Sequence, residues 1–501
     1  MKRITLICLF GFSTAPAAEL FDETKATTLF AFDTVSIPHT QNLRIEMRQP
    51  QRHPDNPVVR LGAPGTPDAQ GVQFYGSIIK EGGKYRLWYV AFDDRKDHPV
   101  ASERWRAAYA ESTDGVNWTK PHLGLVDFNG NKDNNLILTD PAPLGFVNLK
   151  VLRDDADPDP QRRYKATGHV YFRHNTRLGT LAPFTSPDGL RWKLVKEVET
   201  KNAELKKKDL VLPAVHFEPS GGLYQWDGLF YASGQNSMNA TRPYHGRVTR
   251  MYRSADFVNW SETSTLGFVR HHQHTLLGPG RSREGEQTHE GISVWNRGNV
   301  LIGISGLWHG AAEWKDVTID LGFMISNDGN HFREPAHEWT WLKRGNDGDW
   351  DQGGLLQGQG FENIGEQTFI YYGAWDPRHW QDAPPRGGIG IAMLPRDRMG
   401  DLVVETAGKG PGDYQLPEIT SEFVTHSIAV KGQPRFYVNA EGLGAEAALR
   451  VEILDHLERP IPSYAGENAA WVRQGGFQTP VEWPGRQAIS AMRAVRFTGA
   501  P

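Results

Sequence analysis

Ser112-Thr-Asp114-Gly115-Val-Asn-Trp118, Ser186-Pro-Asp188-Gly189-Leu-Arg-Trp192, Ser254-Ala-Asp256-Phe257-Val-Asn-Trp260 and Ser326-Asn-Asp328-Gly329-Asn-His-Phe332 are four copies of one pattern. They return at a period of about 70 residues, which marks the middle of the chain as a repeat array. Asp-Gly is a tight hairpin dipeptide: a type I′ turn needs positive φ at both central positions, and the Asp side chain can accept from amides within the turn. Each copy is expected to be a hairpin tip whose aromatic residue folds back onto its sheet.

Alternating strand pairs precede these tips, with an apolar residue at every second position: Gln73 to Phe92, Tyr164 to Phe172, Gly222 to Ser233, Ile292 to Leu307 and Phe369 to Trp375. A fifth unit ends at Gly387-Gly-Ile-Gly-Ile-Ala-Met393, where the turn motif has degenerated. Five units with room for four short strands each, and weak helical periodicity throughout, predict an all-β chain with a five-bladed β-propeller over residues 19–405. A large β-sandwich or β-helix is the rival, but tips this far apart fit blades better than rungs. Gly408 to Gly412 and Pro417 read as a linker. Short strands at Thr425 to Val430, Arg435 to Val438, Ala448 to Leu454, Ala470 to Arg473 and Ala494 to Phe497 then predict a small C-terminal β-sandwich over 406–501. A structural or a carbohydrate-binding accessory role is open for it.

Composition narrows the function classes. The 55 basic and 59 acidic side chains give a net charge of −4 with no long basic run, so the footprint of a nucleic-acid binder is missing. Lys2 and Arg3, the apolar stretch Ile4 to Phe12 and the small residues Ala15-Pro16-Ala17-Ala18 have the order of an export signal, so residues 1–18 are expected to be removed and the protein secreted or periplasmic. An apolar N-terminal strand is the alternative. No later stretch approaches the ~18 apolar residues of a membrane span. The single Cys, Cys8, falls inside the signal, which leaves the mature chain without disulfides, thiol catalysis or thiolate metal sites.

Carboxylates, histidines and aromatics at the ends of the inner strands are the candidates for chemistry. Thr288-His289-Glu290-Gly291 opens a strand of the fourth unit, and Glu290 stands directly before an apolar run. A carboxylate desolvated there suits a general acid. Trp308-His309 closes the same strand pair, with Asp320 beyond it. Trp308 is read as a sugar-stacking platform or a core residue, and His309 as a hydrogen-bond donor, a metal ligand or a satisfied polar group. Asp351, Gln357, Gln359 and Glu362 lie among glycines of the fifth unit that would let a ligand approach closely, and Trp375-Asp376 repeats the aromatic-plus-acid pair. Asp154 ends a strand of the second unit, and Gly234-Gln235-Asn236 could face the central funnel. No HExxH, phosphate-binding loop or nucleophile elbow occurs. No cofactor is required on this reading, while a structural Ca2+ held by carboxylates and water stays open.

Several of these segments carry a resemblance. Ala110-Glu-Ser-Thr-Asp-Gly-Val-Asn-Trp118, Leu123-Gly-Leu-Val-Asp-Phe-Asn129-Gly-Asn-Lys-Asp-Asn-Asn135, Arg163-Tyr-Lys-Ala166, Gln287-Thr-His-Glu-Gly291 and Gln357-Gly-Gln-Gly-Phe-Glu-Asn363 resemble secreted bacterial proteins related to the N-terminal domain of glycosyl hydrolase family 32. These belong with the five-bladed-propeller glycosidases that include invertases and the family 43 arabinanase and xylosidase group. The resemblance spans roughly residues 40 to 500. It implies a carbohydrate substrate, Glu290 as the acid and Asp154 as the carboxylate that steadies the transition state. The family's first-blade Asp has no counterpart in Val72-Gln-Phe-Tyr75-Gly76-Ser77, and the Asn-Asp-Pro-Asn motif is absent, so the base must come from elsewhere. Asp351 is the first choice, with Asp320 or Glu362 behind it.

The combined reading is a secreted glycoside hydrolase with a carboxylate pair in the funnel. Its rivals are a non-catalytic carbohydrate-binding propeller and a phosphorylase. Arg247, Arg281 and Arg283 cluster near candidate loops, where an anionic sugar could meet them.

Overall fold

The computed structural model describes residues 3–10, 26–95, 104–140, 142, 145–172, 175–195, 217–236, 247–261, 263–270, 285–376, 387–405, 420–428, 434–485 and 494–500. The described chain is all-β, with only short 3-10 turns such as Trp314–Asp316 and no α-helix.

Its larger part is five antiparallel units laid down in sequence order. The first is Gly71–Glu81, Lys84–Phe92, Trp105–Ser112 and Trp118–Thr119. The second is Gly145–Arg153, Tyr164–Phe172, Asn175–Ser186 and Arg191–Leu194. The third is Phe217–Trp226, Leu229–Asn236, Val248–Ser254 and Thr265–Phe268. The fourth is Gly285–Asn296, Leu301–Gly310, Thr318–Ser326 and Thr340–Leu342. The fifth, Gly354–Ile364, Gln367–Trp375 and Gly388–Pro395, takes its outer strand, Gln51–Arg52, from before the first unit.

Strand alternation sends apolar side chains to both faces of each unit, so every unit needs an apolar neighbour on either side. Trp88 and Tyr109 of the first unit pack with Val151 and Trp192 of the second, and Leu181 of the second packs with Leu223 and Phe230 of the third. Tyr224 and Met251 of the third share a core with Ile292 and Phe332 of the fourth, and Ile302 and Phe323 of the fourth with Leu355 and Ile370 of the fifth. Ile389 and Tyr371 of the fifth pack with Tyr89 and Leu87 of the first. The order of packing returns to its start, giving a propeller-like arrangement.

The repeated motif follows the third strand of its unit, and its geometry corrects the expected turn. Only Gly115, Gly189, Phe257 and Gly329 have positive φ there, not the preceding Asp. The turn is closed by side chains instead. At Asp188, the Ser186 hydroxyl accepts from the Gly189 amide at 2.8 Å, and Asp188 Oδ1 accepts from the amides of Leu190 and Arg191, both at 2.8 Å. The same bonds recur at Asp114, Asp256 and Asp328. A type I′ pair does occur at Asp227-Gly228, where φ is 51° and 78°. The turns also join neighbouring units: Trp88 Nε1 donates to Gly189 O at 2.7 Å, Tyr224 Oη to Gly329 O at 2.7 Å and Tyr371 Oη to Gly115 O at 2.9 Å. A Cβ on Gly189 would stand 2.8 Å from the Trp88 ring, so glycine serves both the φ of 75° and the close approach.

Two further sheets share one core containing Phe423, Phe436, Val451 and Phe497. One sheet orders Gly476–Val481, Pro434–Glu441, Arg3–Phe10, Gly400–Val404 and Leu43–Met47, with Ala26–Leu29 beside Arg3–Phe10. The other orders His39–Gln41, Ser421–Val424, Ala494–Ala500, Ala448–Leu454 and Ala470–Val472. The division drawn at 405/406 is therefore crossed, because strands before it complete both sheets. The strand expected at Thr425 to Val430 lies earlier, at Ser421–Val424. Arg3–Phe10, with the composition of an export signal, is here paired along its length with Pro434–Glu441.

Candidate active site

The inner strands of all five units meet at Lys150. Its Nζ donates to Gly76 O at 3.3 Å, Ser293 Oγ at 3.2 Å and Gln357 O at 3.1 Å, and Ser293 Oγ donates to Gly221 O at 2.6 Å. Burial pulls the ammonium well below the usual lysine pKa, opposed by the charge of Glu290. Gln357 and Gln359, read from the sequence as ligand contacts, stitch strands together here. Gln357 Nε2 donates to the carbonyls of His289 and Gly291, and Gln359 exchanges hydrogen bonds with the backbone of Leu223.

Glu290 sits where Gly285–Asn296 bulges away from Leu301–Gly310, the register shifting between His289 and Ile292. Its φ is 59° and that of Gly291 is 82°. A bulge with left-handed residues re-aims the side chain out of the strand's alternation. Gln235, from the third unit, holds it in place: Gln235 Oε1 accepts from the Glu290 amide at 3.0 Å, and Gln235 Nε2 approaches Glu290 Oε1 at 3.5 Å. His289 Nε2 lies 3.8 Å from the same oxygen. The imidazole is fixed by Tyr75 Oη of the first unit at 3.2 Å and is stacked on Trp308 and Trp375. Glu290 is 6% exposed. Residues of four units thus converge around one nearly dry carboxylate.

Trp308 offers no platform for a sugar. It is fully buried, with the Arg247 guanidinium 3.9 Å from its ring centroid and His289 stacked on it.

A row of charges crosses the same end of the fourth unit. His309 Nδ1 bonds Glu286 Oε1 at 2.8 Å and Nε2 bonds Asp320 Oδ2 at 3.0 Å. Arg270 flanks Glu286, and Asp320 Oδ1 accepts from the Arg344 amide at 2.8 Å. Burial opposes protonation of His309, but its bonds to Asp320 and Glu286 outweigh that and raise its pKa. Burial likewise pushes Asp320 up, while His309 and the Arg344 amide bring it below the usual aspartate value. Glu286, Arg270 and Arg344 had no distinguishing mark in the sequence.

The remaining candidates separate by place. Asp154 follows Lys150 along its strand whereas Glu290 precedes Ser293 along its own, so the two stand at opposite ends of the parallel inner strands; Asp154 is bound to Lys165 Nζ at 2.7 Å. Glu362 is also toward the far end, beyond Gln359. Asp351 is on the Glu290 end but turned outward, accepting from Arg52 Nε at 3.0 Å and Tyr372 Oη at 3.1 Å. Asp68 repeats this buckle in the first unit, accepting from Tyr89 Oη at 2.7 Å and Lys120. Asp68, Gly71 and Tyr89 have the same spacing as Asp351, Gly354 and Tyr372. That recurrence marks Asp351 as part of the repeat's framework. Trp375 reaches the His289 ring, and Asp376 is buried beside Gly353. Arg281 and Arg283 lie outside the described residues. Among the described residues no group of three His, Cys, Asp or Glu side chains is gathered to hold a metal ion.

No protein-family model matches the chain, and no curated protein sequence matches it. Solved structures similar to it include an N-acetylgalactosamine deacetylase from F. plautii in complex with blood group B trisaccharide, at 14% identity over 72% of this chain and 97% of that chain, TM-score 0.44. Another belongs to work on the GH130 family of mannoside phosphorylases, described as containing glycoside hydrolases that target β-1,2 mannosidic linkages in Candida mannan, at 14% identity over 70% and 95%, TM-score 0.43. A glycosyl hydrolase from Bacteroides ovatus matches at 14% identity over 70% and 95%, TM-score 0.43. The structural neighbours named here are carbohydrate-active proteins.

Proposed function

We propose that this chain is a secreted glycoside hydrolase, a five-bladed β-propeller with a β-sandwich built from both ends of the chain, whose acid is Glu290. The observation that carries the reading is the left-handed, nearly buried Glu290, held by Gln235 at the end of the inner strands where His289, Tyr75 and Trp375 converge. A non-glycine residue in that conformation costs about 1–3 kcal/mol, a strain that clusters at functional sites.

Asp320 is the second carboxylate of the proposal in place of Asp154, which stands at the opposite end of the inner strands, and Asp351, which is turned outward to Arg52 and Tyr372. It pairs across from Leu307, itself opposite Thr288, and so lies two strand spacings, about 10 Å, across the sheet from Thr288. Its lowered pKa keeps it ionised at neutral pH, the form a base needs. Glu290 gives its proton to the leaving glycosidic oxygen while Asp320 takes one from the attacking water, and proton exchange with solvent restores both.

The test is release of reducing sugar from a panel of plant and marine polysaccharides and aryl glycosides, with Glu290→Gln beside the wild type. Loss of an acid of this kind lowers turnover about 10²- to 10⁴-fold. Binding of a glycan without cleavage by the wild type would favour the carbohydrate-binding reading.

A further inference from the structure

Among the described residues, Arg247 is a cation at this end that the proposed chemistry leaves unused. Its guanidinium lies 3.9 Å from the centroid of the buried Trp308 ring, and Nη1 donates to Gln235 Oε1 at 3.3 Å. Its amide is fixed by Gln287 Oε1 at 2.9 Å. Among the described residues no carboxylate is paired with it. The neighbouring arginines differ: Arg270 is paired with Glu286, Arg344 with Asp320 and Arg52 with Asp351. Gln235 Oε1 also accepts from the Glu290 amide, which puts Arg247 one side chain away from the acid.

A half-buried guanidinium ordered by an aromatic face, with donors to spare, is suited to an oxyanion.

We propose that Arg247 forms a subsite for an oxyanion carried by the sugar, a uronate carboxylate or a sulfate ester. The placement of that substituent next to the cleaved bond rests on the hydrolase reading; the binding preference does not.

Isothermal titration of the full chain in a Glu290→Gln background, where turnover does not interfere, tests this with two matched pairs: oligogalacturonate against its methyl ester, and a sulfated galactan oligosaccharide against its desulfated form. The charged member of one pair is expected to bind at least tenfold tighter, and which pair responds identifies carboxylate or sulfate. The preference should shrink in about 0.3 M salt, vanish in Arg247→Gln and survive in Arg247→Lys, with circular dichroism confirming that the variants are folded. Equal affinities within both pairs, or a preference that persists in Arg247→Gln, would overturn the proposal. So would Arg247-dependent binding of inorganic phosphate with no preference between the sugars. Charge preference without hydrolysis by the wild type would retain this subsite and reject the hydrolase reading.

Discussion

At Glu290 two consecutive residues, Glu290 and Gly291, take left-handed φ. Gly291 must be small because a Cβ there would stand 2.7 Å from Gly234 Cα, so the bulge and the third unit are fitted to one another. The sequence marks Glu290 by its place before an apolar run, but the bulge is set by its neighbours and has no local signature. This has a second effect. Counted back from the tip, where Asn296 faces Leu301, His309 would face Thr288; the bulge shifts the pairing so that it faces Glu286. The Glu286–His309–Asp320 row was therefore hidden from any count of residues, and Trp308 looked available because its covering by Arg247 comes from another unit. The raised His309 pKa predicts that the ring stays protonated above the ordinary histidine range. Its contribution to stability is full below the unfolded value near 6.5 and is lost as pH rises through the folded value. An NMR titration should show the His309 midpoint falling in Asp320→Asn; an unchanged midpoint would mean that the carboxylate does not hold the proton there.

The repeated turn belongs to the scale of the element. Its period was legible because Ser, Asp and an aromatic recur in sequence, yet the reading as a type I′ hairpin missed that the Asp side chain supplies the closing bonds. Burial nudges these carboxyls upward, but hydrogen bonds from the turn outweigh it and bring Asp256 and Asp328 to about 2. Stability from such groups is present above the unfolded carboxylate pKa and drains as pH falls through the folded values. Melts taken from pH 5 to pH 2 should show a loss of stability that is smaller in Asp256→Asn. At neutral pH, Asp188→Ala removes the side-chain acceptor of two backbone amides and should cost about 1–2 kcal/mol, read as a lower melting temperature with activity intact. A melt that does not move would deny the turn its role in holding the units.

For the whole molecule, Gln51–Arg52 completes the last unit from the start of the chain, and Tyr371 fastens that unit to Gly115 of the first. Five repeated strand pairs made the order of units readable, whereas the recruitment of residues 26–47 into the end sheets depends on contacts distant in sequence. The paired buckles, Asp351 with Tyr372 and Asp68 with Tyr89, belong to this framework. Asp351→Asn and Asp68→Asn should each lower the denaturation midpoint by an amount equivalent to about 1–3 kcal/mol, and whatever protein remains folded should keep its turnover. Loss of turnover in folded Asp351→Asn would place that carboxylate in the chemistry after all. The most direct test of the central claim is sugar release by wild type, Glu290→Gln and Asp154→Asn side by side, on the first glycan the wild type cleaves. A site at the Glu290 end predicts that folded Glu290→Gln loses turnover at least about 10²-fold while folded Asp154→Asn stays near wild type; activity surviving in Glu290→Gln and lost in Asp154→Asn would put the site at the other end of the inner strands.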